Sequence, residues 1–315
     1  MRAAISHKFG RDYTLGTQPW TENPSSPGTW MGNPSLSVKV SQYMVSLHRR
    51  KVREGEVVTS ARAVDEGTLK ALYEFNKMIP ATGLSRTSRK RHAEHPPDWA
   101  GGKLRKMLNL IYIISFLCLL RFDEVLNLQW PDIEIQELGT GDRIKISLLA
   151  RKTHQNGGIA PFYLYPNPNK KFLCPLTALA ERINVVGPDH MNGYVFRRKV
   201  GANSWDANPS HGMSADSFME CFRNNLLDIK IDPRPYGTHS FRRGGCQYLA
   251  MVLRWPFRNI CSWGGWAENF DNPGTIFKYL LAWTDVETVT REEFMDPNRK
   301  GSDPCTGCGR TCWCR

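Results

Sequence analysis

Four residues with reactive or phosphate-binding side chains fall in order along one short length of chain. They are His239 and Arg242 in Tyr236-Gly-Thr-His239-Ser-Phe-Arg242-Arg243-Gly-Gly, Trp266 in Trp263-Gly-Gly-Trp266, and Tyr279 in Thr275-Ile-Phe-Lys-Tyr279. His239 and Arg242 stand at i and i+3, so on a helix they share one face. A guanidinium is always charged and its planar fork suits phosphate oxygens. An imidazole can donate, or take a proton near neutral pH. An indole N–H only donates, so a Trp that reaches a phosphate can only stabilise its negative charge. A phenol, with a free pKa of about 10, is a poor nucleophile until cations and donors stabilise the phenolate and the transition state. Together these are the parts needed to hold a phosphodiester and attack it.

Each residue also has an ordinary reading. A lone His-x-x-Arg is usually a solvated helix face. Trp-Gly-Gly-Trp can be core aromatics at a turn, and Tyr279 a half-buried ring beside Phe277. Tyr236 and Tyr248 are rival tyrosines, placed where a core or phosphate-side role fits better. The order of the motifs, and what precedes them, carries the weight.

The 315 residues allow one large domain or two smaller ones, and at 41% hydrophobic they can bury a substantial core. A net charge of +12 and a pI near 9.3 suggest a polyanionic partner such as nucleic acid. No segment reaches the length of a membrane span; the most apolar run, residues 108–120, contains Asn109 and Ser115. The N-terminus lacks a secretory apolar region, so an intracellular, reducing compartment is expected. Cys118, Cys174, Cys221, Cys246 and Cys261 sit among apolar residues and read as reduced core thiols.

Residues 1–34 are rich in Pro, Gly, Ser, Thr and Asn and are expected to be irregular or disordered. Residues 35–54 have helical spacing and end in a basic cluster containing Arg49, Arg50 and Lys51, which suits a DNA backbone or a solvated helix end. A second helix is expected over residues 65–79, with Asp65 as N-cap and Pro80 as its stop. Residues 81–100 form a long basic loop in which Arg89, Lys90 and Arg91 are both DNA-contact candidates and a nuclear-targeting candidate. A buried helix follows over residues 103–120, and directly after it come Arg121 and Glu124. An arginine at the end of a buried helix is costly unless it is paired or faces a ligand, and Glu124, one turn later, can hold it in place; a simple i,i+3 ion pair is the plainer alternative. Alternation then predicts strands at residues 144–149 and 161–165, joined by a glycine hairpin that carries Lys152. Helices are expected near residues 175–184 and 214–228, with residues 195–196 extended and residues 197–211 a polar loop.

A buried helix, Arg121-x-x-Glu124, a small sheet with a hairpin lysine, His239-x-x-Arg242, Gly-Trp266 and Thr-x-x-x-Tyr279 resemble the tyrosine recombinase, or phage integrase, superfamily over residues 60–281. Gly32-Asn33-Pro34 followed by a Val-Lys helix, with the same downstream motifs, looks most like the crypton-type recombinases of fungal mobile elements. The resemblance implies an α+β, mostly helical catalytic domain over residues 57–295 with a small antiparallel sheet. It is preceded by an irregular segment (1–34) and a remnant of a helical core-binding domain (35–56), and followed by a Cys-rich tail (296–315). It further implies that Arg121 and Arg242 clamp the scissile phosphate and that Lys152 protonates the leaving 5′ oxygen. His239 would take the tyrosine proton or donate to the phosphate. Trp266 would donate its N–H where the family often has a second histidine, Glu124 would orient Arg121, and Tyr279 would attack phosphorus. Arg243 is a further DNA contact on this reading. Double-stranded DNA and other copies of the chain in a tetramer are the implied partners, the nucleus the implied compartment, and no cofactor is required.

The sequence departs from the family pattern in three places. The N-terminal part is short, the Trp266–Tyr279 interval contains an inserted Asp271-Asn-Pro-Gly274, and the chain ends in Cys305-x-x-Cys308-x-x-x-Cys312-x-Cys314. The last offers four thiolates, of which the first pair has zinc-knuckle spacing; an incidental tail is the alternative. The short N-terminal part motivates a rival reading, a DNA-binding remnant or domesticated protein without activity. A type IB topoisomerase-like activity, with the same chemistry but relaxation in place of recombination, is the other.

Overall fold

The structure, a computed structural model, describes residues 2–16, 18–53, 61–80, 99–139, 141–149, 159–266, 279 and 280. The chain forms two compact units, Met1–Thr59 and Ser60–Arg315.

The first unit has more regular structure than its composition predicts. Helix α1 (Arg2–Asp12) precedes a two-stranded antiparallel pair, β1 (Thr21–Glu22) and β2 (Trp30–Met31). Trp20 and Trp30 stack across it, with ring centroids 6.0 Å apart. The Gly32-Asn33-Pro34 triplet then does three separate jobs. Gly32 adopts φ 95°, where a Cβ would run into the Pro19 carbonyl. The Asn33 side chain accepts from the Ser35 N–H at 3.1 Å and donates to the Gly16 carbonyl at 3.0 Å. Pro34 opens a 3-10 turn, Pro34–Leu36, at a position where a missing N–H costs nothing. Helix α2 (Val38–Arg53) follows. Propensity missed this order because it rests on a few long-range hydrogen bonds rather than on periodicity.

In the second unit α3 (Glu66–Met78) starts as expected: the Asp65 carboxylate accepts from the Thr68 N–H at 2.6 Å. Helix α4 (Gly102–Leu117) is mostly buried and is the centre of the core, packed by α3, by α6 (Pro175–Val186) and by α8 (Ser240–Gln247). Its chain reverses at Leu119, φ 52°, into the short helix α5 (Phe122–Leu126). Three strands form an antiparallel meander, β3 (Ile133–Gln136), β4 (Arg143–Ile146) and β5 (Phe162–Leu164), with Ile146 opposite both Ile133 and Phe162. Strand β3 escaped the sequence reading because Trp130-Pro-Asp132 ahead of it breaks the alternation. A second hairpin, β6 (Lys199–Val200) and β7 (Ser204–Trp205), lies where a plain loop was expected. Helices α7 (Ala215–Asp228), capped by Ser214, and α9 (Phe257–Gly264) complete the unit. The result is an α+β fold, mostly helical, with small antiparallel sheets.

An aromatic cluster ties α4, α5, α7 and α8 together: Tyr112 stacks on Phe241 at 4.9 Å and Phe122 meets Phe218 edge-on at 4.4 Å. Beside it runs a buried polar network. Arg105, 1% exposed, donates to Asp228 at 2.7 Å, to Asn76 at 2.9 Å and to the Ala100 carbonyl at 2.9 Å. Helix α8 lies so close to its neighbours that side chains at Gly244 and Gly245 would fall on the carbonyl oxygens of Val64 and Phe116. The five cysteines named above as core thiols are thiols, not disulfides, and all but Cys261 are buried. No helix among the described residues is long and apolar enough to cross a membrane.

Candidate active site

The reversal at Leu119 delivers Arg121 to the N-cap of α5 in extended backbone, φ −74° and ψ 159°. The Glu124 carboxylate accepts the Arg121 backbone N–H at 2.9 Å, a capping contact that fixes the turn. The same oxygen, Oε2, lies 3.7 Å from Nη1 of Arg242. Glu124 holds Arg121 by its main chain and pairs its charge with an arginine far away in sequence, in place of a plain i,i+3 ion pair. The reason is local. At an N-cap the carboxylate three residues on points back at the free N–H, away from the side chain it would otherwise meet.

His239 is the N-cap of α8, and Arg242 lies in its first turn. Ser240, fully buried, accepts the Gly237 N–H at 2.9 Å through its hydroxyl, and its carbonyl accepts the Val64 N–H at 3.0 Å. These bonds set the start of α8 and so the direction of both side chains. Arg242 is 3% exposed; Nη2 donates to the Gly264 carbonyl at 3.4 Å. Its guanidinium sits 4.8 Å from the ring centre of Trp266 and 5.5 Å from that of Tyr279.

Helix α9 brings in the third segment. Gly265 ends it in the left-handed region, φ 62°, which favours glycine, and a Cβ on Gly264 would come within 2.7 Å of the Trp266 ring. The helix is pinned by Trp263, whose N–H donates to the Leu117 carbonyl at 2.7 Å and whose ring meets Phe162 edge-on at 4.9 Å. The hydrogen bond of Trp263 to the end of α4 leaves no mark in the sequence. Trp266 stacks on Tyr279, centroids 5.4 Å apart and planes 23° off parallel. The Tyr279 hydroxyl lies 3.5 Å from Nδ1 of His239.

Electrostatics follow from this crowding. Burial pushes the His239 imidazole below its ordinary range, and the nearby Arg121 and Arg242 charges push it further. A neutral imidazole with its proton on Nε2 can accept from a phenol at Nδ1. His239, Arg242, Trp266 and Tyr279 are thus in contact with one another, and the Arg121 charge is near enough to act on His239.

Other expected residues are placed differently. Arg243 is 4% exposed and donates to the Ala61 carbonyl at 3.1 Å. Tyr236 and Tyr248 are buried in the core, Tyr236 edge-on to Phe222 and Tyr248 against Phe116 in a π-helical turn, Tyr248–Val252. Arg50 is exposed on α2 of the first unit, where Arg49 and Lys51 share the helix. Lys152 and its hairpin, Arg89, Lys90 and Arg91, the 271–274 insertion and Cys305, Cys308, Cys312 and Cys314 lie outside the described residues. Among the described residues no cluster of His, Cys, Asp and Glu could hold a metal ion.

No family model matches the chain, and no curated protein matches it. Solved structures align with it at low identity. A XerH site-specific recombinase bound to difH substrate, in a pre-cleavage complex, is 13% identical with a TM-score of 0.43, over 69% of this chain and 49% of that one. An FLP recombinase–Holliday junction complex is 13% identical with a TM-score of 0.41, over 81% and 55%. A Tn1549 transposon integrase (aa 82-397) in complex with circular intermediate DNA is 12% identical with a TM-score of 0.34, over 79% and 91%. The chain spans about half the length of the first two.

Proposed function

We propose that the chain cuts and rejoins duplex DNA through a 3′-phosphotyrosyl intermediate formed by Tyr279. One observation carries the reading: the Tyr279 hydroxyl lies 3.5 Å from Nδ1 of His239 while the Arg242 guanidinium lies over the same phenol ring. A phenol, a neutral base and a buried cation meet at one point, and Arg121 is close enough to depress the same imidazole.

In this reading Arg121 and Arg242 bind the non-bridging oxygens of a backbone phosphate. The Tyr279 oxygen attacks phosphorus as its proton passes to Nδ1 of His239. The bond from phosphorus to the 5′ oxygen breaks, and the leaving oxygen takes a proton from Lys152. The products are a phosphotyrosine at the 3′ end and a free 5′ hydroxyl. Because the new ester keeps the phosphodiester energy, a 5′ hydroxyl can rejoin by the reverse path without ATP or metal. Preorganised cations supply most of the stabilisation, since charge builds on the phosphoryl oxygens. Glu124 fixes the Arg121 main chain and offsets part of the Arg242 charge. Duplex DNA and further copies of the chain are the proposed partners, and binding should weaken with salt as phosphate contacts release counterions.

Incubation with a nicked suicide duplex tests this. A denaturation-resistant protein–DNA adduct is expected, and Tyr279→Phe should abolish it. DNA binding without an adduct in the unaltered protein would replace the proposal with the inactive-remnant reading. An adduct that survives Tyr279→Phe would mean another nucleophile. Plasmid relaxation without exchange between two sites would favour the topoisomerase-like activity.

A further inference from the structure

The reaction proposed above leaves one edge of the three-stranded sheet unused. The strand order is β3-β4-β5, so β5 pairs on one side only. Among the described residues, no backbone bond leads from Tyr163, Leu164 or Tyr165 to any segment but β4. Main-chain groups that point away from the one neighbour of an edge strand are open to another chain.

A cavity of about 270 Å³ lies along this edge. Tyr163, Leu164 and Tyr165 all line it. Successive strand residues point to opposite faces, so a cavity that touches all three runs beside the strand and not over either face. Leu253, Trp255 and Trp263 line it as well. The surroundings are apolar and reach solvent. Tyr165 is 55% exposed, and the π-helical turn leaves Met251, Val252 and Leu253, three residues in a row, 58%, 49% and 45% exposed. Exposed apolar side chains grouped at a π-turn, beside an aromatic-walled cavity, mark a contact surface.

Charge selects the occupant. The Arg143 guanidinium lies over β5: it sits 4.3 Å from the ring centre of Tyr163 and donates to the Tyr165 hydroxyl at 3.1 Å and to Gln136 at 2.8 Å. These partners are all neutral, whereas Lys145 on the same strand is paired with Glu134 at 3.0 Å. A chain added to β5 would lie one strand spacing, about 4.8 Å, further on, within reach of that guanidinium. A second copy of β5 fits poorly there. Two-fold pairing presents the same patch from both sides and would set one Arg143 against another. Strand β5 is also only three residues long and is followed by Pro166, which limits open-ended self-pairing.

We propose that this edge takes an extended segment of a partner protein as a fourth strand, with a large aromatic or aliphatic side chain in the cavity and a carboxylate on Arg143. Main-chain bonds to β5 supply affinity and the cavity supplies specificity. The cavity is smaller than whole small-molecule sites, about 300–1,000 Å³, and suits one side chain. Arg143 shares its face with Tyr163, and the anchor goes to the opposite face, beside buried Leu164. Because successive residues alternate, anchor and carboxylate are neighbours in the partner's sequence.

The test titrates the full chain with the acetylated, amidated peptide Val-Glu-Trp-Glu-Val and follows the backbone amides of Tyr163, Leu164 and Tyr165 by NMR. Saturable shifts and slowed hydrogen exchange at these amides are expected. Replacing the peptide's Trp by Ala, or both Glu by Lys, should weaken binding at least about tenfold. Leu253→Glu, at an exposed position, should weaken it as much with an unchanged thermal melt. Arg143→Gln should remove the preference for Glu over Lys. The proposal is overturned if the three amides do not respond, if the Ala or Lys peptide binds as well, or if only duplex DNA moves them. It is also overturned if raising the concentration of the protein alone protects the same amides, since a second copy then holds the edge. None of these readouts depends on DNA cleavage, so the site stands or falls apart from the function proposed for Tyr279.

Discussion

Glu124 and Arg242 form an ion pair in which both side chains are nearly sealed from water, 7% and 3% exposed, across 3.7 Å. It joins the turn after α4 to the first turn of α8. A buried pair contributes little net stability compared with apolar residues, but removing one partner leaves an uncompensated charge. Glu124→Gln keeps an acceptor for the Arg121 N–H and removes the charge. It should cost about 3 kcal/mol in denaturant unfolding and slow adduct formation. A loss under about 0.5 kcal/mol, the range of a plain surface change, would mean that the pair does not hold Arg242.

His239 should titrate below an ordinary histidine, because burial and then Arg121 and Arg242 oppose its protonation. The unfolded chain then binds more protons than the native one as pH falls below about 6.5. This group's share of stability is fully present above that pH and is lost as pH falls through its native value. Histidine NMR should show the depressed value, and Arg121→Ala should raise it. An unchanged His239 titration in that variant would separate the two side chains.

Gly244 and Gly245 let α8 approach the carbonyls of Val64 and Phe116. Gly244→Ala gains helix propensity but forces the Val64 segment outward. The expected net change is a destabilisation of about 1–3 kcal/mol, visible as a lower melting temperature. A neutral or stabilising result would refute the close approach.

Trp263→Phe keeps a ring against Phe162 and Trp255 and removes the N–H that reaches the Leu117 carbonyl at 2.7 Å. About 1 kcal/mol of stability should be lost. Because the bond pins α9, and α9 carries Gly264 and Trp266, the adduct rate should fall while DNA affinity holds. Equal losses of both would point to general unfolding.

Asp228 accepts from Arg105 at 2.7 Å and from the Trp99 indole at 3.0 Å, all inside the core. Asp228→Ala strands the Arg105 charge and should cost about 3–5 kcal/mol, with Asp228→Asn milder. Chemical denaturation of the three proteins side by side checks the order.

The elements of the second unit were largely legible in the sequence, for a physical reason. Asp65 caps the helix it precedes and the run from Met107 to Leu117 is mostly apolar, and both facts are local. The order His239, Arg242, Trp266, Tyr279 was legible too, since it is a pattern of residue types. What the chain could not state locally was who pairs with whom. Glu124 was assigned to Arg121 by spacing; it holds that residue's main chain and pairs its charge with Arg242, while Arg243 donates to the Ala61 carbonyl. Trp263 was read with its motif or as a core aromatic, and its N–H bonds α9 to the end of α4. Spacing along a helix fixes only neighbours within one turn. Partners from segments far apart are chosen by how α4, α8 and α9 pack, and that choice exists only once the chain has folded.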